Sequence, residues 1–203
     1  MDSALLMTPA ELAARLERPA TKVLDVRVGE SFAMGHVPSA AHFSVYGVNT
    51  YDTDEAPLAS FVRMWAFQLS LRGLEQHHDI IVYDDHTGMS AARAFWFLEY
   101  LGHRRVWVLD GGWSRWVAEG YPQSREAIPP APASYRFTRQ RERVADWQDV
   151  LRAIDDPASV VIDARRRSEY IGEECDTKRS GTIPGAVHIE WLAHLTDRDT
   201  MKD

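Results

Sequence analysis

The chain has 203 residues, 45% of them apolar, which is enough for one large or two modest domains with a real core. A formal net charge of −7 gives no electrostatic reason to approach nucleic acid or an anionic membrane, and both are excluded as partners. Residues 1–7 are too short and too acidic for a signal peptide, no apolar run nears the roughly 20 residues that span a bilayer, and Cys175 is the only cysteine, so a cytoplasmic address without an intrachain disulfide is expected.

Thr8-Pro-Ala-Glu11 is a capping-box pattern with Pro at the first helical position. Leu12 and Leu16 follow at helical spacing, so a structural helix is predicted from here to near Pro19. Residues 22–27 read as a strand, after which Gly35-His-Val-Pro-Ser-Ala40 turns into a short apolar piece at 41–45. Asp25 and Arg27 stand two apart on that strand, share a face and read as an ion pair beneath the turn. Over 57–72, Leu58, Phe61, Trp65 and Leu69 recur at steps of three and four, which predicts a core-facing helix stopped by Gly73.

Residues 79–83 form a β-branched run, and from Ser90 the apolar spacing becomes helical. Asp84, Asp85 and His86 therefore open a strand-to-helix turn. In a parallel sheet such a turn faces the ligand crevice and lies beside free helix N–H groups. The helix at 91–101 carries Phe95, Trp96, Leu98 and Leu101 over a wide arc, 105–109 is the next strand, and Asp110-Gly-Gly-Trp113 turns into a helix with Trp116. Alternating helices and strands imply a parallel α/β sheet layered by helices, because parallel neighbours need crossovers. Residues 1–121 are expected to form this domain, and 122–137, with Pro122, Pro129, Pro130 and Pro132, an extended linker.

From 138 to 203 the chain repeats itself. Val23-Leu-Asp-Val-Arg27 returns as Val161-Ile-Asp-Ala-Arg165, preceded by a helix with Asp146 at its cap and Val150 and Ile154 in place of Leu12 and Leu16. Gly35-His-Val-Pro-Ser-Ala40 returns as Gly181-Thr-Ile-Pro-Gly-Ala186, after an insertion within 172–180. Residues 138–203 thus read as the N-terminal half of a second copy, without counterparts of the 57–72 helix, the Asp84 loop or the Gly-Gly turn. The first segment is expected to fold alone and the second not.

These motifs, together with Val-Tyr-Asp-Asp running into Ser-Ala-Ala-Arg and Gly-His-x-x-Val-x-Val-Leu-Asp-Gly-Gly-x-x-x-Trp, resemble the tandem rhodaneses, the thiosulfate and 3-mercaptopyruvate sulfurtransferases. The resemblance implies a rhodanese-like α/β fold: a five-stranded parallel sheet flanked by helices, followed here by a partial second copy. It implies transfer of sulfane sulfur through a cysteine persulfide, no cofactor, and a small anionic sulfur donor as partner. In tandem members the first domain carries Asp at the loop position and is non-catalytic, as Asp84 would be, while the catalytic cysteine loop of the second would lie past residue 203. The chain as it stands is then expected to be inactive alone. Basic residues around the second turn hold the donor in the family, and Arg165, Arg166, Arg167, Lys178 and Arg179 match them here. Glu169 stands where mercaptopyruvate-type members place an Arg, and Thr182 replaces the usual His of the second turn.

A carboxylate cannot act as the sulfur-accepting nucleophile, so Asp84 is expected to accept loop N–H bonds instead, with its pKa depressed. Three adjacent residues rarely converge on one ion, so Asp84, Asp85 and His86 are not expected to bind metal. Cys175, between Glu174 and Asp176, reads as an incidental loop thiol, and His36, His42 and His188 as hydrogen-bonded structural histidines. A rhodanese-type domain used as a binding or regulatory module is the alternative. A phosphatase is disfavoured because this loop lacks the Cys and Arg it would need.

Overall fold

The computed structural model describes residues 5–45, 48, 52–86, 88–175, 178–197 and 200–202. The chain divides into two compact units, one built on Met1–Arg143 and the other on Val144–Asp197. No helix among the described residues is long and apolar enough to cross a membrane.

The first unit is a five-stranded, wholly parallel sheet in the order β1-β5-β4-β2-β3. Its strands are β1 (Leu6–Met7), β2 (Thr21–Asp25), β3 (Ala41–His42), β4 (Asp79–Tyr83) and β5 (Val106–Leu109). Between them run α1 (Pro9–Ala13), α2 (Gly29–Met34), α3 (Glu55–Leu71) and α4 (Met89–Tyr100), and α5 (Gly112–Ala118) follows β5. Strand β4 is central, which is why all five of its residues are buried and its sequence shows no polar alternation. Val23, Ile81, Tyr83 and Leu109 pack with Leu12, Phe32, Val37 and Trp116 on one face. Their strand neighbours Leu24, Ile80 and Val82 point the other way and are also buried. There α3 and α4 supply Trp65 and Phe97, whose ring centroids are 4.0 Å apart.

The Thr8 capping box forms as its sequence predicts, with both reciprocal bonds present. On α4 the buried aromatics are Phe97 and Tyr100. Trp96 faces outward, stacks on Tyr100 and donates its indole N–H to the Arg143 carbonyl at 3.0 Å. Helix α2 and the two-residue edge strand β1 have no sequence signal long enough to show a period.

The Pro-rich segment lies along the first unit. Extended backbone lets His36 and Ser124 exchange N–H···O bonds of 2.9 Å in both directions, and Ala133 donates to Ser70 O at 2.8 Å. Tyr135 is buried, with its hydroxyl 3.0 Å from His103 Nδ1 and its own N–H on Ser70 Oγ. Thr138 and Gln140 then bond the last carbonyls of α4, at Leu101 and Tyr100.

The second unit contains α6 (Trp147–Ile154), β6 (Ile162–Asp163), α7 (Arg167–Ile171) and β7 (Val187–His188), with β6 and β7 parallel. Asp146 caps α6 through a complete capping box. The two parallel pairs correspond: Leu24 and Asp25 face Ala41 and His42, and Ile162 and Asp163 face Val187 and His188. Burial separates them. Leu24 and Val37 are 1% and 0% exposed, whereas Ile162 and Ile183, their counterparts, are 56% and 40% exposed.

Candidate functional site

The first turn is built on a buried pair. Arg27 Nε and Nη2 donate to both Asp25 oxygens at 2.6 to 3.1 Å, and Nη2 also donates to Gly35 O at 2.6 Å, tying the strand to the turn. Asp25 has a further donor, the Tyr83 hydroxyl at 2.6 Å, and that oxygen accepts the Val37 N–H at 3.1 Å. Burial first, and then the Asp25 carboxylate, push the Tyr83 phenol far above its ordinary pKa, so it remains a donor. The guanidinium lies over the Trp113 ring, 4.7 Å from its centroid. Neither Tyr83 nor Trp113 carries a sequence signal for these contacts. Tyr83 stands opposite Asp25 in the β2–β4 register, a relation that no local pattern displays.

The second turn repeats these bonds. Arg165 N and Nε reach Asp163 Oδ1 at 3.0 Å each, as Arg27 N and Nε reach Asp25 Oδ1, and Arg165 Nη2 reaches Asp163 Oδ2 at 2.7 Å and Gly181 O at 2.9 Å. His42 Nε2 is 2.9 Å from Arg27 O, and His188 Nε2 is 3.0 Å from Arg165 O. His36, buried, is 2.9 Å from Phe32 O through Nδ1. In the second turn Thr182, in the place of His36, donates to Asp163 Oδ2 at 2.7 Å, where Tyr83 serves Asp25. The Arg165 hydrogen bonds hold the Asp163 carboxyl well below the usual carboxylate range.

Arg165, Arg166 and Arg167 are exposed around the start of α7, and Lys178 and Arg179 are exposed on the approach to Gly181, whose carbonyl Arg165 holds. Glu169 faces this group: its Oε1 is 3.7 Å from Arg165 Nη1, and its Oε2 accepts the Arg166 N–H at 3.2 Å. A carboxylate here caps α7 and balances one of the arginines.

The loop after β4 closes on its own acid. Asp84 is buried and accepts the Gly88 N–H at 3.3 Å and the Ala91 N–H at 3.1 Å, so its carboxylate occupies the donor cradle at the start of α4. The cradle is fixed from below, where Trp113 and Ser114 donate to the Asp84 and Asp85 carbonyls at 2.9 Å. The expected depression of the Asp84 pKa is corrected: the carboxyl is pushed up to about 6. Burial outweighs the two N–H bonds, and the neighbouring Asp85 charge adds to it. No group of three His, Cys, Asp or Glu that could hold a metal ion exists among the described residues.

Comparison with known proteins agrees with this geometry. The model of the rhodanese-like domain matches residues 8–119. The thiosulfate sulfurtransferase of Azotobacter vinelandii is 33% identical over 195 residues, covering 94% of this chain and 70% of that protein. A probable 3-mercaptopyruvate sulfurtransferase of Pseudomonas aeruginosa is 32% identical over 202 residues, covering 92% and 70%. Two further curated sulfurtransferases, of Pseudomonas aeruginosa and Arabidopsis thaliana, are matched over 72% and 56% of their length. In fold, the chain superposes on SseA, a 3-mercaptopyruvate sulfotransferase of Escherichia coli. The TM-score is 0.85 at 24% identity, over 98% of this chain and 79% of that one.

Proposed function

The chain belongs to the rhodanese family, and we propose that it provides the non-catalytic first domain and the N-terminal half of the second domain of a tandem sulfurtransferase. The observation that carries this reading is the Asp84 carboxylate seated on the Gly88 and Ala91 N–H groups. In a catalytic copy those donors would hold a thiolate. That thiolate attacks the outer sulfur of thiosulfate, the S–S bond breaks, sulfite leaves with the electron pair, and the cysteine carries a persulfide until a thiophilic acceptor takes the sulfur. A carboxylate cannot follow this course. The return of the arginine's bonds to the carboxylate and to the glycine carbonyl, from Asp25–Arg27 to Asp163–Arg165, supports a second copy, whose loop would continue the pattern beyond residue 203.

Arg165, Arg166, Arg167, Lys178 and Arg179 are the donor-binding residues in this reading, since a cluster of exposed guanidinium and ammonium groups suits a small dianion. Glu169 favours thiosulfate over a mercaptopyruvate-type donor, because the arginine that would meet the donor's carboxylate is replaced by a like charge. The lone cysteine and the lack of any disulfide fit a reducing, cytoplasmic compartment. The test is thiosulfate:cyanide sulfur transfer by this chain, with negligible turnover expected. Turnover surviving Cys175→Ala would refute the assignment, and turnover abolished by it would make Cys175 the nucleophile.

A further inference from the structure

A cavity of about 450 Å³ opens in the first unit beside the Asp25–Arg27 pair, a size suited to a small molecule. Arg27 and the Trp113 indole form its inner wall, and Glu30, Met34, Asp85 and Val117 its rim.

The Arg27 side chain is 2% exposed, yet its donors are unevenly used. Nε and Nη2 are committed to Asp25 and Gly35, whereas Nη1 has only Asp85 Oδ1 at 3.4 Å, long for a charge-assisted bond, and its second hydrogen has no acceptor among the described residues. Nη1 thus has one long bond, to Asp85, and a second hydrogen that can take an oxygen from outside.

The rim makes the opposite demand. Asp25 already answers the Arg27 charge. Asp85, with its side chain 56% exposed, and Glu30, exposed and without an ion-pair or hydrogen-bond partner among the described residues, therefore put two further carboxylates on the rim, with the Arg125 guanidinium bonded to the Met34 carbonyl at 3.0 Å beside it. A simple anion on Nη1 would face both carboxylates, and a simple cation would leave the second Nη1 hydrogen unused. Both demands are satisfied by a carboxylate and an ammonium one carbon apart. The remaining wall is mixed: Trp113, with Met34 and Val117 70% and 37% exposed, gives it an apolar side, and Ser31 and Gln123 add polar groups.

We propose that this cavity binds a free α-amino acid with an apolar side chain, its carboxylate on Arg27 Nη1, its ammonium between Asp85 and Glu30, and its side chain against Trp113, Met34 and Val117. The site is independent of the sulfur-transfer reading, because it uses neither Asp84 nor any of the residues assigned there to the sulfur donor.

The probe is L-leucine titrated into the whole chain and followed by calorimetry, beside 4-methylpentanoate, which lacks the ammonium, 3-methylbutylamine, which lacks the carboxylate, and thiosulfate. Saturable leucine binding is expected, with each of the other three weaker by about tenfold or more. Glu30→Gln, a surface change that leaves the fold intact, should weaken leucine several-fold. The proposal is overturned by absence of saturation at about 10 mM leucine, by equal binding of the amine or of either anion, or by an unchanged affinity in Glu30→Gln.

Discussion

Gly112 lies against the carbonyl oxygen of Asp84. A Cβ built on it would stand 2.5 Å from that oxygen and 2.7 Å from the carbonyl of His86, and its φ of +55° falls in the left-handed region. The Gly-Gly turn and the Asp84 loop are therefore one construction, since the glycine lets α5 begin close enough for Trp113 and Ser114 to donate to the loop. Gly112→Ala must displace backbone rather than a flexible side chain, and is expected to cost about 2–4 kcal/mol in urea unfolding. A loss of less than about 0.5 kcal/mol would show that the loop moves aside freely.

Tyr83→Phe removes one oxygen with two duties. The buried Val37 N–H loses its acceptor and Asp25 loses a donor, so a destabilisation of about 1–3 kcal/mol with an unchanged denaturant slope is expected. Equal stability of the two proteins would mean that water replaces the hydroxyl.

The Asp84 carboxyl, raised to about 6, carries a definite pH sign. Between the unfolded value near 3.9 and about 6 the folded protein holds the extra proton, so its contribution is most favourable below about pH 4 and declines as pH rises to about 6. Asp84→Asn keeps an acceptor for the loop without the charge. Relative to the parent, this variant should gain stability as pH rises from about 4 to 7, by about 2–3 kcal/mol. A difference that is flat in pH, measured by denaturant titration at three pH values, would contradict the raised pKa.

A fragment of residues 138–203 should remain largely unprotected in hydrogen exchange. Ile162, Ile183, Val187 and Leu192 are 40 to 56% exposed, and among the described residues β6 pairs only with β7. A fragment of residues 1–143 should fold, whereas one ending at 121 should be weaker by about 3–5 kcal/mol, because the buried Tyr135 and the bonds to Ser70 and His103 go with the missing strap. Equal protection in 138–203 would refute its reading as half a domain.

The sequence displayed what is local or repeated. The Thr8 capping box, the long α3, strand β4 and the Asp-x-Arg turn each carry a pattern within a few residues, and the turn appears twice. It did not display what depends on register or desolvation. Tyr83 reaches Asp25 only because β4 lies beside β2, and the docked strap follows from extended backbone meeting Ser70 and His103 across long separations. Asp84 shows the difference most directly. Its spacing to Gly88 and Ala91 is legible, but the balance between two N–H bonds and the loss of water is set by burial, which the loop sequence does not encode.

The sheet order also governs when the first unit can close during synthesis. Leu6 pairs with Val108, so β1 stays without its neighbour in the sheet until about a hundred more residues have emerged from the ribosome. The strap at Tyr135 closes later still. At elongation rates of roughly 5–20 residues per second, the nascent first unit spends several seconds with an open edge and an uncovered flank, an interval in which a chaperone or a misplaced strand competes for it.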